Sequence, residues 1–313
     1  MLPASHVSDP DRILLTGANG HLGRRLIARL AATVPIVATV RSPGARRAIE
    51  AVAPGVEIAE LDYLDAAALA RAAQGCTVAV HLVGILKESA ANRYVDAHER
   101  ATRALADAAR AQGLRRIVYV SILGSSPQAS NAALASKGRA EQILLDCGVP
   151  SLILRVPMVL GEDDYASRAL RRRARSRVAW LLRGASLEQP IYAGDVVEAI
   201  VSGIARSGAE SVVLDLAGPE SVSRAALVRR AGACLGLHPR CVSLPLAPAL
   251  AIARIAEQLL PNPPVTAAML GVLDHDDCID PQPAATELGI GLTGLDEMLR
   301  RCVGGATPEG NSR

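Results

Sequence analysis

The sequence predicts an α/β fold, a doubly wound parallel sheet followed by a smaller, mostly helical C-terminal lobe. Three observations carry that expectation. Short β-rich runs at Arg12–Thr16, Pro35–Arg41, Val56–Leu61, Cys76–Val83, Arg115–Ser121 and Ser151–Val156 alternate with longer Ala-, Leu- and Arg-rich stretches. Such alternation implies parallel pairing through right-handed helical crossovers. The runs Ile36–Val40 and Ile117–Ser121 are almost continuously apolar, as strands covered on both faces must be. A glycine-spaced turn follows the first run directly.

Between the strands the composition predicts helices over His21–Thr33, Ala66–Gln74, Tyr94–Gln112 and Asn131–Cys147. Beyond Pro157 the expected elements are an Arg-rich helix Ala166–Leu182, a helix Asp195–Arg206 and a strand Val212–Leu216. Pro245, Pro248, Pro261, Pro263 and Pro264 then cut the C-terminal part into short helices. The expected organisation is a disordered leader over residues 1–10 and a nucleotide-binding domain over 11–160, its sheet completed from within 190–220. A substrate or partner lobe over 161–303 and a frayed tail over 304–313 complete it.

Composition excludes several function classes. The chain has no Phe and 2% aromatic residues, too few rings for the stacking platforms of single-strand nucleic-acid binders. A net charge of +3 falls short of a nucleic-acid footprint. Cys76, Cys147, Cys234, Cys241, Cys278 and Cys302 show no CxxC spacing, so neither a zinc site nor a disulfide scaffold is expected. Isolated thiols and the lack of an apolar segment in Met1–Pro10 point to a cytoplasmic protein without a signal peptide. No run approaches the ~18 apolar residues of a membrane span.

The strongest motif is Thr16-Gly17-Ala18-Asn19-Gly20-His21-Leu22-Gly23. Placed between the first strand and first helix, it reads as a dinucleotide-binding turn of the Rossmann type. Gly17 makes the turn, Gly20 lets backbone approach a diphosphate, and Gly23 lets helix and strand pack closely. The helix start then offers free N–H groups and a positive dipole end. Cofactor choice rests on the end of the second strand, where an acid reads the NAD ribose and an Arg accommodates a 2′-phosphate. The chain has Arg41 there and no carboxylate before Glu50. NADP(H) is therefore favoured over NAD(H), with Arg46, Arg47 or Arg24 as helpers. Asp62 is placed to accept from the adenine amino group, or else to serve as a cap. Asp65 caps the next helix, and Gly84 brings backbone close to the cofactor.

These stretches, in this order, resemble the extended short-chain dehydrogenase/reductase superfamily. More narrowly, His81–Leu86, Asn92–His98, Leu154–Gly161, Gln189–Asp195 and Leu216–Pro219 look like its atypical members related to the nucleotide-binding accessory subunit of respiratory complex I. The resemblance implies a Ser, a Tyr and a Lys four residues after the Tyr, working as a proton relay. Ser121 and Lys137 occupy the expected positions, but the Tyr position is Ala133. A methyl group moves no proton, so the usual relay is broken. Lys137 remains for the ribose hydroxyls or as a helix-surface lysine. Ser121 remains for substrate or for a strand-end backbone group. His98 is read as structural, with backbone bonding or a surrogate acid as alternatives, and Tyr165 as a donor on paper only. Glu162, Asp163 and Asp164 read as solvated loop acids, so no metal is expected.

In the second lobe, Arg168, Arg171, Arg172, Arg173, Arg175 and Arg177 fall on the expected Arg-rich helix. Anionic lipid headgroups at the inner membrane surface, a diphosphate substrate, an acidic protein or plain solvation all fit it. Asp195 is expected to cap the helix that follows it. Ala247–Leu260 is amphipathic and too short to span a bilayer. The leading functional expectation is a non-catalytic or weakly catalytic NADP(H)-binding accessory protein. The alternatives are an NADPH-dependent oxidoreductase or epimerase with a relocated acid, and an NADP redox-sensing regulator.

Overall fold

A computed structural model describes residues 11–89, 92–260, 263–272 and 274–304; the expected leader and nearly all of the expected tail lie outside them. The first unit runs β1 (Ile13–Thr16), α1 (His21–Leu30), β2 (Ile36–Val40), α2 (Pro43–Glu50), β3 (Glu57–Glu60), α3 (Ala66–Ala72) and β4 (Val78–His81). A π-helical segment Val95–Arg100 leads into α4 (Ala101–Ala111), then β5 (Arg116–Ile122), α5 (Ala132–Leu145) and β6 (Ser151–Val156). After β7 (Val159–Leu160) come α6 (Tyr165–Ala174), β8 (Val178–Leu182), β9 (Leu187–Glu188), β10 (Ile191–Tyr192), α7 (Ala193–Ala205) and β11 (Val212–Asp215). The chain closes with β12 (Val222–Ser223), α8 (Arg224–Ala233), β13 (Arg240–Leu244), α9 (Leu246–Leu259), α10 (Ala267–Gly271), α11 (Gln282–Leu288), α12 (Leu295–Leu299) and a π-helical turn Arg300–Gly304.

Seven parallel strands form the sheet in the order β11-β6-β5-β4-β1-β2-β3. The order reverses between β1 and β4, and such a switch point opens a ligand crevice at the strands' carboxyl ends. Alternate residues of β1 show why both faces are covered. Ile13 and Leu15 enter a core with α1 and α7, and Leu14 enters one with α3, α4 and α5. A third core, with Leu160, Leu170, Leu181, Leu227 and Met298, holds the second lobe.

Three sequence expectations need correction. Helix α2 was not expected, although its signal is ordinary: Ser42 caps it by accepting from Ala45 N, and Pro43 takes the first position. The Arg-rich helix ends at Ala174, and Val178–Leu182 is a strand paired with β13. Period-two burial decides this, because Ala179 and Leu181 enter the lobe core while Val178 and Trp180 face out. The arginines therefore do not share one helix. Arg171 turns inward and donates to the Cys302 and Val303 carbonyls, and Arg168 bonds back to Asp164 O. Finally, Asp195 lies inside the first turn of α7. Its carboxylate accepts from Thr293 N and Oγ1 at 2.7 and 2.8 Å, tying down the C-terminal segment rather than capping the helix.

Candidate functional site

The glycine turn lies at the carboxyl end of β1. Gly17 has φ +74°, and a Cβ there would press within 2.8 Å of the Leu82 carbonyl carbon. Only glycine suits both demands. A Cβ on Gly23 would sit 2.5 Å from Ala18 O, so this glycine sets how closely α1 packs on the turn. Gly20 N donates to Gly17 O, and Asn19 and Gly20 are exposed. Gly20 begins α1 without a side-chain cap, and the first turn has no acid. This end of the helix keeps a positive pole for an anion. Leu22 packs on the sheet core. The His21 side chain points elsewhere: its Nε2 accepts from Arg25 Nε at 2.8 Å and lies 3.9 Å from Asp164 Oδ2. Burial and Arg25 lower its pKa.

Sequence reasoning missed Tyr63. Its hydroxyl accepts from Gly17 N at 3.0 Å and donates to Thr39 O at 2.7 Å, pinning the glycine turn to the end of β2. The ring also carries the Arg41 guanidinium 5.7 Å from its centroid, while Arg41 Nη1 donates to Asn92 Oδ1 at 3.1 Å. Arg41 thus stands exposed beside the turn with its fork partly oriented. Asp62 is exposed and accepts from Leu64 N at 3.0 Å. Asp65 caps α3. Arg46 does not join Arg41; it reaches Ile58 O, Glu50 and Glu60 along β3. Tyr63→Phe keeps the ring beneath Arg41 but leaves Gly17 N without its acceptor. Nucleotide affinity should fall about 5- to 20-fold, for NADPH and NADH alike; isothermal titration checks both, and unchanged affinities would show the pin to be dispensable.

Across the switch point, Gly84, His98 and Lys137 converge. A Cβ on Gly84 would meet Lys137 Nζ at 3.3 Å and His98 Nε2 at 3.6 Å. Lys137 is buried, not a helix-surface lysine. Its Nζ donates to Val120 O at 3.2 Å and sits 4.5 Å from the centroid of the Tyr119 ring. Burial lowers its pKa to about 8, against the pull of Glu141. His98 stacks on Tyr94 in the π-helical segment. Its Nε2 accepts from Ile85 N at 3.1 Å, and its Nδ1 is buried without a partner. Burial and Lys137 lower its pKa to about 3, so it is neutral and holds the backbone after Gly84.

The Ser121 hydroxyl bonds no strand-end backbone group; it donates to Glu141 Oε1 at 2.5 Å and lies 3.4 Å from Ser125 Oγ. Glu141 is itself forked by Arg155. Ala133 lies buried in the first turn of α5, below the Asn131 cap. Tyr165 is 68% exposed. Of the three loop acids, Asp163 is exposed as expected, but the other two are not simply solvated. Glu162 binds Arg25 and the Tyr192 hydroxyl, and buried Asp164 caps α6 and accepts from Gly161 N. Among the described residues no group of three or more His, Cys, Asp or Glu could hold a metal ion. A second missed feature is His275, whose Nε2 lies 3.1 Å from Asp277 Oδ1 and would stand 3.9 Å from a Cβ on Gly124, just after β5. Its approach to Gly124 joins segments far apart in sequence and leaves no local signal.

An NAD(P)H-binding family model matches residues 17–179. The ceramide reductase of Caulobacter vibrioides is 30% identical over 238 residues, covering 74% of this chain and 73% of its own. The mitochondrial NADH dehydrogenase (ubiquinone) 1 alpha subcomplex subunit 9 of Arabidopsis thaliana is 26% identical, over 76% of this chain and 61% of its own. The crystal structure of an NADPH-dependent quinone oxidoreductase from Escherichia coli superposes with TM-score 0.68 at 24% identity, over 92% of this chain and 98% of that one. This likeness extends the fold through the second lobe. With a glycine turn at the switch point of a seven-stranded parallel sheet, the chain belongs to the NAD(P)H-binding family of short-chain dehydrogenase/reductase-like proteins.

Proposed function

We propose that this chain is an NADP(H)-dependent reductase of an apolar carbonyl or quinone compound, in which Lys137 takes over the proton donation of the missing tyrosine. The buried Lys137 ammonium beside Gly84 carries this reading. An amine desolvated to a pKa of about 8 gives up its proton far more readily than an ordinary lysine. The uncapped start of α1 and the Gly17–Gly23 turn fit a diphosphate, and Arg41 fits a ribose 2′-phosphate. When bound there, the nicotinamide supplies hydride.

The chain's own groups then divide the remaining work. Lys137 Nζ spends one N–H on Val120 O, leaving its others for a ribose hydroxyl and for the substrate oxygen that must gain a proton. His98 fixes Ile85 N, and with it the backbone that flanks the ammonium. Glu141 keeps Ser121 occupied and, with Arg155, remains a compensated anion behind Lys137. The named substrates of the relatives, a ceramide and a quinone, motivate the apolar substrate class.

A second reading is a nucleotide-holding accessory protein, favoured by Ala133 and by the engagement of Ser121. NADPH consumption with quinone and ceramide-type ketones separates the two. Turnover that falls above about pH 8, in kcat/KM, supports Lys137 as the acid. Nucleotide-induced stabilisation with no turnover supports the accessory role. For cofactor choice, Arg41→Ala should weaken NADPH binding about 10- to 100-fold and leave NADH binding unchanged. Equal losses for both would remove Arg41 from 2′-phosphate recognition.

A further inference from the structure

We propose that the outer face of the β8–β13 ribbon, continued by α9, docks this chain on the headgroup region of an anionic lipid bilayer. The ribbon is two parallel strands in register, with Arg240 beside Val178, Val242 beside Trp180 and Leu244 beside Leu182. The opposite face, with Ala179, Leu181 and Cys241, packs into the second-lobe core. Apart from Arg240 at its start, the outer face is therefore apolar, and Trp180 on it is 61% exposed. An exposed tryptophan on an apolar face suits the water–hydrocarbon boundary, where the ring is buried and the indole N–H stays wet.

Charge selects the occupant. Arg172, Arg173, Arg175 and Arg177 lead into β8, and Arg240 opens β13 on the same face as Val178; all five are exposed. Among the described residues none of them forms an ion pair, whereas most other arginines do. At the other end of the ribbon, Asp274 and Asp276 are neutralised by Arg183. A cationic rim around an apolar face with its tryptophan matches anionic headgroups above acyl chains. Helix α9 starts two residues after β13 and adds apolar surface, with Ile252 68% and Leu259 75% exposed and only Leu246 and Ala253 buried along it. No helix among the described residues is long and apolar enough to cross a membrane, so contact through this face would be interfacial.

Trp180 is the chain's only tryptophan, so its emission reports the contact directly. The full chain is mixed with phosphatidylcholine vesicles with or without phosphatidylglycerol, and emission and co-sedimentation are read together. The expected result is a blue shift and sedimentation with the anionic vesicles alone, reversed by added salt. Arg175→Glu with Arg177→Glu should weaken partitioning about thirtyfold or more, as should Ile252→Asp with Leu259→Asp, with unchanged melting temperature. Unshifted emission of the wild-type protein over anionic vesicles overturns the proposal, whatever the variants do. So does equal binding to neutral vesicles. A blue shift that appears without lipid as concentration rises, with a doubled mass, would assign the face to a second copy of the chain instead.

Discussion

Lys137→Met should raise the melting temperature of the nucleotide-free protein by about 2–4 °C while lowering turnover a hundredfold or more. The two effects have one cause. Lys137 is buried with a pKa of about 8 against an ordinary 10.5, so at neutral pH the native state carries an ammonium that costs about 3 kcal/mol of stability. The sign follows from linkage. Between pH 8 and 10.5 the unfolded chain binds a proton that the native chain has released, so stability gained from losing the charge rises with pH across that window. Below pH 8 both states are protonated and the cost is constant. Methionine matches the length of the stem and can pack its thioether on the Tyr119 ring. Part of the gain is offset, since the bond to Val120 O and the cation over the ring are lost, about 1–2 kcal/mol together. Glu141 keeps the Arg155 fork and is not left unpaired. Calorimetry and NADPH consumption on the same preparation test both halves. A lower melting temperature with full turnover would make Lys137 a structural residue.

The central sheet was legible because each strand announces itself locally. Ile36–Val40 is apolar throughout since both its faces are covered, and Gly17 and Gly23 mark a turn whose dimensions admit no Cβ. The site was legible only where one residue type at one position decides the chemistry, as with Ala133 in place of Tyr, or Arg41 in place of an acid. Partners brought from afar were not. Tyr63 reaches Gly17 across 46 residues, and Ser121 is claimed by Glu141 twenty residues on. Arg46 reads as a phosphate ligand until β3 supplies Glu60 and the Ile58 carbonyl. The Arg-rich segment misled for a different reason. Arginine and leucine favour helix, but tertiary pairing with β13 and the period-two burial of Val178–Leu182 outweigh that preference.

Stability should fall steeply as pH drops from about 6.5 towards 4, with a slope near 2.7 kcal/mol per pH unit around pH 5. Two buried histidines, His81 and His98, supply most of that slope. His21, whose pKa burial and Arg25 also lower, adds to it, and Glu188 and Asp195, whose pKa values burial raises, oppose it towards the lower end. His81 is hydrogen-bonded on both ring nitrogens, to Thr16 Oγ1 at 2.6 Å and to Thr102 Oγ1 at 3.0 Å, and stacks on Tyr119. Burial, with Lys137 nearby, lowers its pKa to about 3, as it does for His98. Between pH 6.5 and 3 the unfolded chain therefore binds two protons that the native chain refuses, each contributing about 1.4 kcal/mol per unit of pH. His275 does not cancel this, because Asp277 raises its pKa and it is charged in both states below pH 6. The lowered carboxylates Glu99 and Glu162 act only below their ordinary range. His98→Asn should lower the slope by about 1.4 kcal/mol per pH unit at little cost at pH 7, since an amide oxygen can accept from Ile85 N as the imidazole does. Urea unfolding across pH 4–7 reads both values; a wild-type midpoint flat down to pH 5, or a variant with the full slope, would show that these rings open to water before they charge. Because His98 holds the backbone after Gly84 and His81 lies between Thr16 and Tyr119, their protonation would loosen β1 and β4 on either side of the switch point. Bound NADPH should then be lost over the same pH interval in which the fold weakens, rather than after it.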